Sequence, residues 1–333
     1  LEPIVFITII FVSTLLFEFG NGFNDAANSI ATIVSTRVLS PRMAVAWAAF
    51  WNLVAAFVFG TAVAKTMGKG LVRLELVDEW VLLGGLLGAI VWTYLCTYLG
   101  LPISVSHSLM GGYGGAAVAK AGWSAILWEG WRLPILFIFL APLLGMLAAM
   151  VLVVATSWVV RKQAPWKVDR WFRRLQLVSA AAYSLGHGTN DAQKGMGIIT
   201  AALVTAGALP SYNVPFWVIL SCHAAIAAGT MAGGWRVVKT MGQRITKLRP
   251  FDGFSAETAG ALLLVGTAQA GIPVSTTHTI TGAIIGVGAT HRITAVRWGI
   301  ATRIIWAWVL TIPGAAAIAA ASFTLLNWLS GHL

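Results

Sequence analysis

Charge is what this sequence has least of. Only 10% of its 333 residues are Asp, Glu, Lys or Arg, where soluble domains carry roughly a quarter. Acids are scarcer still, 11 against 22 Lys and Arg. With 58% hydrophobic residues and a mean hydropathy of +0.81, a soluble domain is excluded. Cysteine is also sparse: Cys96 and Cys222 lie in apolar runs without metal-ligand spacing, and both read as packing residues. There is no Walker loop, no GxGxxG, no HExxH and no GxSxG. The chain therefore does not read as an enzyme, and any transport it performs must draw on an ion gradient. Leu1 to Phe17 lacks a basic segment and a small-residue cleavage site, so it reads as a span rather than a cleaved signal.

What is present is a series of apolar runs long enough to cross a lipid bilayer. The expected fold class is an all-α polytopic membrane protein with about 10–12 membrane segments. The isoelectric point near 10.2 could suggest nucleic acid, but the apolar bulk places the basic residues in loops, and no nucleic-acid partner is expected. The sixteen Trp residues read as interfacial belt and packing. Spans are expected over Ile4–Thr36, Met43–Ala64, Trp80–Leu99 and Leu133–Val160, then a highly basic stretch from Arg161 to Arg174. Ile4 to Thr36 would be roughly 50 Å of helix, so a break near Gly20–Gly22 is expected, giving one discontinuous crossing or a hairpin.

The order then repeats. Asn24-Asp25 answers to Asn190-Asp191, and Pro102-x-Ser104-x-Ser106-His107-Ser108 to Pro273-x-Ser275-x-Thr277-His278-Thr279. Pro142 pairs with Pro313, and Lys65-Thr66-Met67-Gly68 with Lys239-Thr240-Met241-Gly242. Residues 1–160 and 175–333 are read as two repeats, joined by a cytoplasmic linker over 161–174. Counting five crossings per half puts both termini outside. Sixteen Lys and Arg then fall in inside loops and five in outside loops, with Lys194 left in the membrane. An odd number of crossings makes the repeat inverted; re-entrant hairpins at the Ser-rich segments would change the count.

Charged groups at membrane depth are rare and mark transport paths. On a helix, Asn24, Asp25 and Asn28 share a face, as do Asn190, Asp191 and Lys194. Their oxygens suit small cations, so these residues are the candidate cation or coupling set, with Asp25 and Asp191 as ligands for Na+ or a divalent ion. The competing reading is that each Asp is a helix cap. Hydroxyls at Ser104, Ser106, Ser108, Ser275, Thr276, Thr277 and Thr279 follow prolines, where free helix N–H groups make an anion site, and Asn24 and Asn190 are counted with the phosphate-binding set. Packing glue between helices is the bland alternative. His107 and His278 could donate to the anion, relay a proton or bond a carbonyl. Lys194 would neutralise Asp191 or attract the anion. His187 and His223 have no symmetric counterpart and are not candidates. Glu18 and Glu257 lie at apolar-segment edges; Glu257 is the better coupling candidate, a solvated cap the alternative.

At these residues the sequence resembles the inorganic phosphate transporter (PiT) family, its bacterial branch in particular. The resemblance rests on Phe19 through Asn28, on Gly186 through Gly195, and on the two Pro-x-Ser-x-(Ser/Thr)-His segments, and it covers essentially the whole chain. It implies symport of inorganic phosphate with Na+ or H+ in the cell (inner) membrane, through an inverted-repeat fold, as a homodimer. The family's signature residues fall on Asn24, Asp25, Asn190 and Asp191, its hydroxyl segments on Ser104–Ser108 and Ser275–Thr279, and its second-half glutamate on Glu257. Trp51-Asn52 stands where relatives carry a first-half glutamate, which bears on sodium stoichiometry. Gln193-Lys194 resembles members thought to use protons and to carry metal-phosphate complexes. No cofactor is expected. The rival readings are a sulfate permease on the same scaffold, an anion channel and a surface phosphate receptor.

Overall fold

The structure is a computed structural model that describes residues 2–58 and 60–331. Among the described residues there are twelve α-helices and no strand beyond a single bridge between Val72 and Ile126. Lipid offers backbone groups no partners, so apolar chain of this kind satisfies its N–H and C=O groups within helices.

The helices fall into two sets of six in the same order. The first is α1 (Pro3–Ser35), α2 (Pro41–Val54), α3 (Ala62–Lys69), α4 (Glu79–Leu99), α5 (Val105–Ala121) and α6 (Trp128–Val160). The second is α7 (Pro165–Thr205), α8 (Phe216–Ala232), α9 (Trp235–Lys239), α10 (Pro250–Gln269), α11 (Thr276–His291) and α12 (Trp298–Ser330). Prolines start α1, α2, α7 and α10, where a missing N–H costs nothing.

The expected break in the first span is absent. Helix α1 runs unbroken through Gly20, Gly22 and Asp25, and α7 runs unbroken through Asp191. The glycines serve close packing instead: a Cβ on Gly22 would lie 2.1 Å from the Ile226 carbonyl oxygen of α8. Within the expected linker 161–174, residues 165–174 form the first turns of α7. Helix α10 begins at Pro250, directly after the basic residues of 236–249.

The interruptions come at the Ser-rich segments. Helix α4 ends at Gly100, α5 begins after Ser104, and the two arms pack together as a hairpin. Helices α10 and α11 do the same around Gly271 and Ser275. Both hairpins turn through a left-handed glycine, Gly100 at φ 70° and Gly271 at φ 69°, a conformation other residues adopt at a cost. Among the described residues, four helices could cross a membrane alone by length and composition, α1, α4, α6 and α12, or up to six spans if two bent pairs each count as one. The remaining helices are hairpin arms, short pieces and the polar α7, so the segments are more numerous than the full spans.

The halves interlock. Helix α5 packs on α12, α11 packs on α6, and α3 packs on α7. A Cβ on Gly111 would meet the Ile312 carbonyl oxygen at 2.5 Å, and one on Gly282 the Pro142 carbonyl oxygen at 2.1 Å. Each hairpin's returning arm is thus pressed backbone to backbone on the long last helix of the other half. Helices α6 and α12 turn Phe139, Val151, Trp306 and Val309 outward, an apolar surface suited to lipid.

Candidate functional site

The polar residues gather where α1 and α7 pass the two hairpin tips. Asp25, Asp191, Lys194, His187, Ser106, Thr276 and Thr277 are all buried there. Buried polar groups cost free energy unless paired, and the pairing is specific. Thr277 Oγ1 donates to Asp25 Oδ1 at 3.2 Å. Thr276 Oγ1 stands 3.3 Å from Asp25 Oδ2 and 3.2 Å from Asp191 Oδ2, so one hydroxyl spans both carboxylates. Asn28 Nδ2 donates to the same two threonines, at 3.2 and 2.9 Å. The α11 tip is thereby tied to both long helices. Neither aspartate caps a helix, because each sits inside an uninterrupted one.

Lys194 joins the acids to the other tip. Its ammonium donates to Asp191 Oδ1, to Ser106 Oγ and, at 3.4 Å, to the Val274 carbonyl. Of the two roles considered for it, neutralising Asp191 has a direct contact here, and the contact to Ser106 places the same ammonium at the α5 tip. At i, i+3 on α7 the Asp191–Lys194 pair follows directly from helical spacing.

His187 lies between the two acids, which sequence reasoning missed. Its Nε2 is 3.4 Å from Asp191 Oδ2 and 3.9 Å from Asp25 Oδ2. The signal was present: His187 precedes Asp191 by four residues and so shares its face. Asn52 is a second miss. Its Oδ1 is 3.2 Å from His187 Nδ1, and its Nδ2 donates to Thr230 Oγ1 at 3.0 Å. Thr230 in turn donates to the Gly22 carbonyl at 3.5 Å, which fixes the direction of the chain. With Asn52 presenting its oxygen, His187 Nδ1 carries the proton that it donates. Nε2 then faces two carboxylates either as a bare lone pair or through a positive charge. The ligand atoms of Asp25, His187 and Asp191 lie within 4.8 Å of one another, a spacing that fits a single small cation. Formal charge agrees, since two carboxylates face one ammonium and one negative charge remains.

The other candidates divide. Ser104 and Ser275 are N-caps, accepting from His107 N at 3.2 Å and His278 N at 3.1 Å. Ser108 and Thr279 donate back to the Ser104 and Ser275 carbonyls, at 3.5 and 3.0 Å. Ser106, Thr276 and Thr277 alone among the hydroxyls reach the charged cluster. Asn24 donates away from it, to Thr97 Oγ1 at 2.7 Å, which leaves its buried Oδ1 without a partner. Asn190 is buried with neither amide atom partnered. His107 and His278 meet edge to face with ring centroids 4.9 Å apart, and His278 stacks on Trp308 at 3.8 Å. The two hairpin tips therefore touch.

Glu257 is no solvated cap. It is fully buried, accepting from Thr32 at 2.6 Å, Gln176 at 2.9 Å and Ser179 at 2.5 Å. Thr32 lies two turns, about 10 Å, beyond Asp25 on α1, so this is a separate polar cluster. Glu18 is equally buried, seven residues before Asp25, and accepts from the Gly195 N–H at 2.7 Å and Asn21 Nδ2 at 3.2 Å.

Residues 21–319 match a sequence family described as the phosphate transporter family. The chain is 54% identical over 307 residues to the "Probable low-affinity inorganic phosphate transporter" of Rhizobium meliloti (strain 1021), covering 92% of each chain. A protein of the same name from Bacillus subtilis (strain 168) is 42% identical over 322 residues, covering 96% of each chain. Among solved structures, one titled "The sodium-dependent phosphate transporter" superposes with a TM-score of 0.90 at 25% identity, covering 97% of this chain and 99% of that one. Every one of these relatives is named for transport and none for catalysis. With the family profile spanning residues 21–319 and a 54% identical relative covered over 92% of its length, this protein belongs to the phosphate transporter family.

Proposed function

We propose that the protein carries inorganic phosphate across the cell (inner) membrane together with a cation, by alternating access around the cluster at the two hairpin tips. The observation that carries the reading is the charge left over there. Asp25, Asp191 and Lys194 sum to one negative charge, and His187 Nε2 points at both carboxylates. One proton on His187, or one Na+ among Asp25, His187 and Asp191, neutralises it. A divalent ion would overshoot by one, which a singly charged phosphate arriving with it as a metal-phosphate complex would offset. The anion is received by the α5 and α11 N-termini, Ser106 and the Lys194 ammonium, with the unpartnered amide of Asn190 as a further donor. Cation and anion meet through Lys194, so occupancy by one favours the other, and that mutual dependence is what couples their movement.

The matching helix order and the exchanged packing of α5, α6, α11 and α12 support two inverted halves rocking on each other. The basic residues of 161–174 and 236–249 support a cytoplasmic position for those stretches, with both termini outside. The assembly proposed is a homodimer in the bilayer.

The test is phosphate uptake into vesicles reconstituted with the protein, with sodium and proton gradients imposed separately. Asp25→Asn and Asp191→Asn should each abolish gradient-driven uptake. Undiminished coupled uptake in both variants would refute the proposal, and so would flux through the wild type that ignores every gradient. Labelled phosphate uptake should persist in excess sulfate; full competition by sulfate would transfer the assignment to that anion.

A further inference from the structure

A second concentration of charge lies well away from the transport cluster. The loop before α10 and the loop between α11 and α12 enclose a cavity of about 810 Å³. Lys247, Arg249, Arg292 and Arg297 line it, together with Asp252 and His291. Asp252 is the only carboxylate among them, and it is already engaged. Its Oδ1 lies 2.8 Å from His291 Nε2, and its Oδ2 accepts the Arg249 backbone N–H at 2.9 Å. Among the described residues none of the four cations pairs with a carboxylate. A smaller recess of about 470 Å³ shares Thr246, Lys247 and Leu248 with it and extends to Arg37 at the end of α1.

The walls are fixed. Arg297 N donates to the Ile245 carbonyl at 2.9 Å, and Thr246 Oγ1 to the Ala295 carbonyl at 3.2 Å. The first half builds the same frame, with Leu127 N donating to the Leu71 carbonyl at 3.0 Å and Arg73 N to the Ala125 carbonyl at 2.9 Å. Its cations are satisfied there: Lys120 reaches Asp78 at 2.6 Å, and Arg73 Nε donates to the Ser124 carbonyl at 2.8 Å. The frame thus does not require unpaired cations. A positive-inside bias accounts for basic residues at this end of the molecule. It does not account for four of them converging on one recess whose acid is taken up by a histidine.

We propose that this recess binds an anion carrying two or more phosphate groups, at a site separate from the transport path. Three guanidinium forks and an ammonium match several phosphoryl oxygens at once, and the volume far exceeds what a single orthophosphate fills. The same chemistry is offered by a diphosphatidyl lipid headgroup and by a soluble oligophosphate. Trp298, half-exposed at the start of α12 and next to Arg297, is of the type that gathers at lipid interfaces, where the recess would be within reach of either source.

The test compares the intact protein with Arg292→Gln/Arg297→Gln. One arm titrates inorganic triphosphate onto detergent-solubilised protein and reads the melting temperature and the affinity. The other reads retention of cardiolipin against neutral phosphatidylcholine by native mass spectrometry. Binding in either arm, weakened about tenfold or more in the double variant and eased by added salt, supports the site and names its source. Asp191→Asn should leave this binding unchanged, which separates it from the transport cluster. Absence of binding in both arms overturns the proposal, and so does binding that the double variant or Asp191→Asn shows to lie elsewhere. Arg73→Gln in the matching frame of the first half controls for general loss of charge and should change neither reading.

Discussion

Asn28 on α1 and Lys194 on α7 hold equivalent places, each three residues beyond its aspartate. Their partners differ. Asn28 gives its amide to Thr276 and Thr277, and Asp25 is satisfied by the same hydroxyls. Lys194 gives its ammonium to Asp191 and Ser106. The two sets of helices share one order, while the charge sits on one side only. A symmetric pair of lysines would cancel both carboxylates and leave nothing for a cation to neutralise. A pair of asparagines would leave two adjacent buried anions, each costing several kcal/mol to desolvate. The asymmetric choice leaves one charge open, the one that the proposed co-transported cation would neutralise.

The comparison breaks most sharply at Lys194. Lys194→Asn makes α7 resemble α1 but strands Asp191 beside Asp25. Removing one partner of a buried pair costs about 3–5 kcal/mol, so the variant should be strongly destabilised in detergent melts. Asp191→Asn/Lys194→Asn should regain most of that loss, because both charges leave together, yet remain inactive in uptake. A single variant as stable as the wild type would show that the pair does not carry the charge balance described here.

These two motifs were legible in the sequence because charge stands out in apolar chain. The hairpins at the Ser-rich segments were only an open alternative to full crossings, and the turns at Gly100 and Gly271 are seen in the structure alone. Whether α1 would break was not legible. A glycine reads the same whether it ends a helix or admits a neighbour's backbone, and at Gly22 only the approach of α8 decides. His187 was passed over because it lacked a twin, although symmetry sets the frame and the function departs from it. Asn52 and Thr230 needed the three-dimensional packing of α2 and α8 before either could be linked to the site. The burial of Glu18 and Glu257 depends on partners as far as 225 residues away.

A second comparison is steric. Gly111 and Gly282 hold equivalent positions on α5 and α11, facing α12 and α6. Valine at either forces backbones apart, and overpacking costs about 1–3 kcal/mol or more. The closer approach at Gly282, 2.1 Å against 2.5 Å for an added Cβ, predicts the larger loss for Gly282→Val. Equal melting shifts for the two would mean that the hairpins are not held by these contacts in the way the distances indicate.

The finest comparison uses the smallest contacts. Thr66 Oγ1 donates to the Gly271 carbonyl at 2.9 Å, and Thr240 Oγ1 to the Gly100 carbonyl at 3.0 Å. Each threonine belongs to one copy of Lys-Thr-Met-Gly, and each satisfies the left-handed glycine that turns the other half's hairpin. Those carbonyls follow helix ends and have no intrahelical partner. Thr66→Val and Thr240→Val keep the shape and remove the donor, so each should cost about 1 kcal/mol in detergent unfolding. The two sites share no partner, so their costs should add within a few tenths of a kcal/mol in the double variant. Thr240 also donates to the Arg236 carbonyl at 3.1 Å, which divides its hydroxyl between two acceptors and makes its loss the smaller of the two. If Thr240→Val proved the costlier, or if the costs failed to add, the hairpin turns would not be independent copies of one device. The matching of the halves would then end at sequence order and not extend to the energetics of the fold.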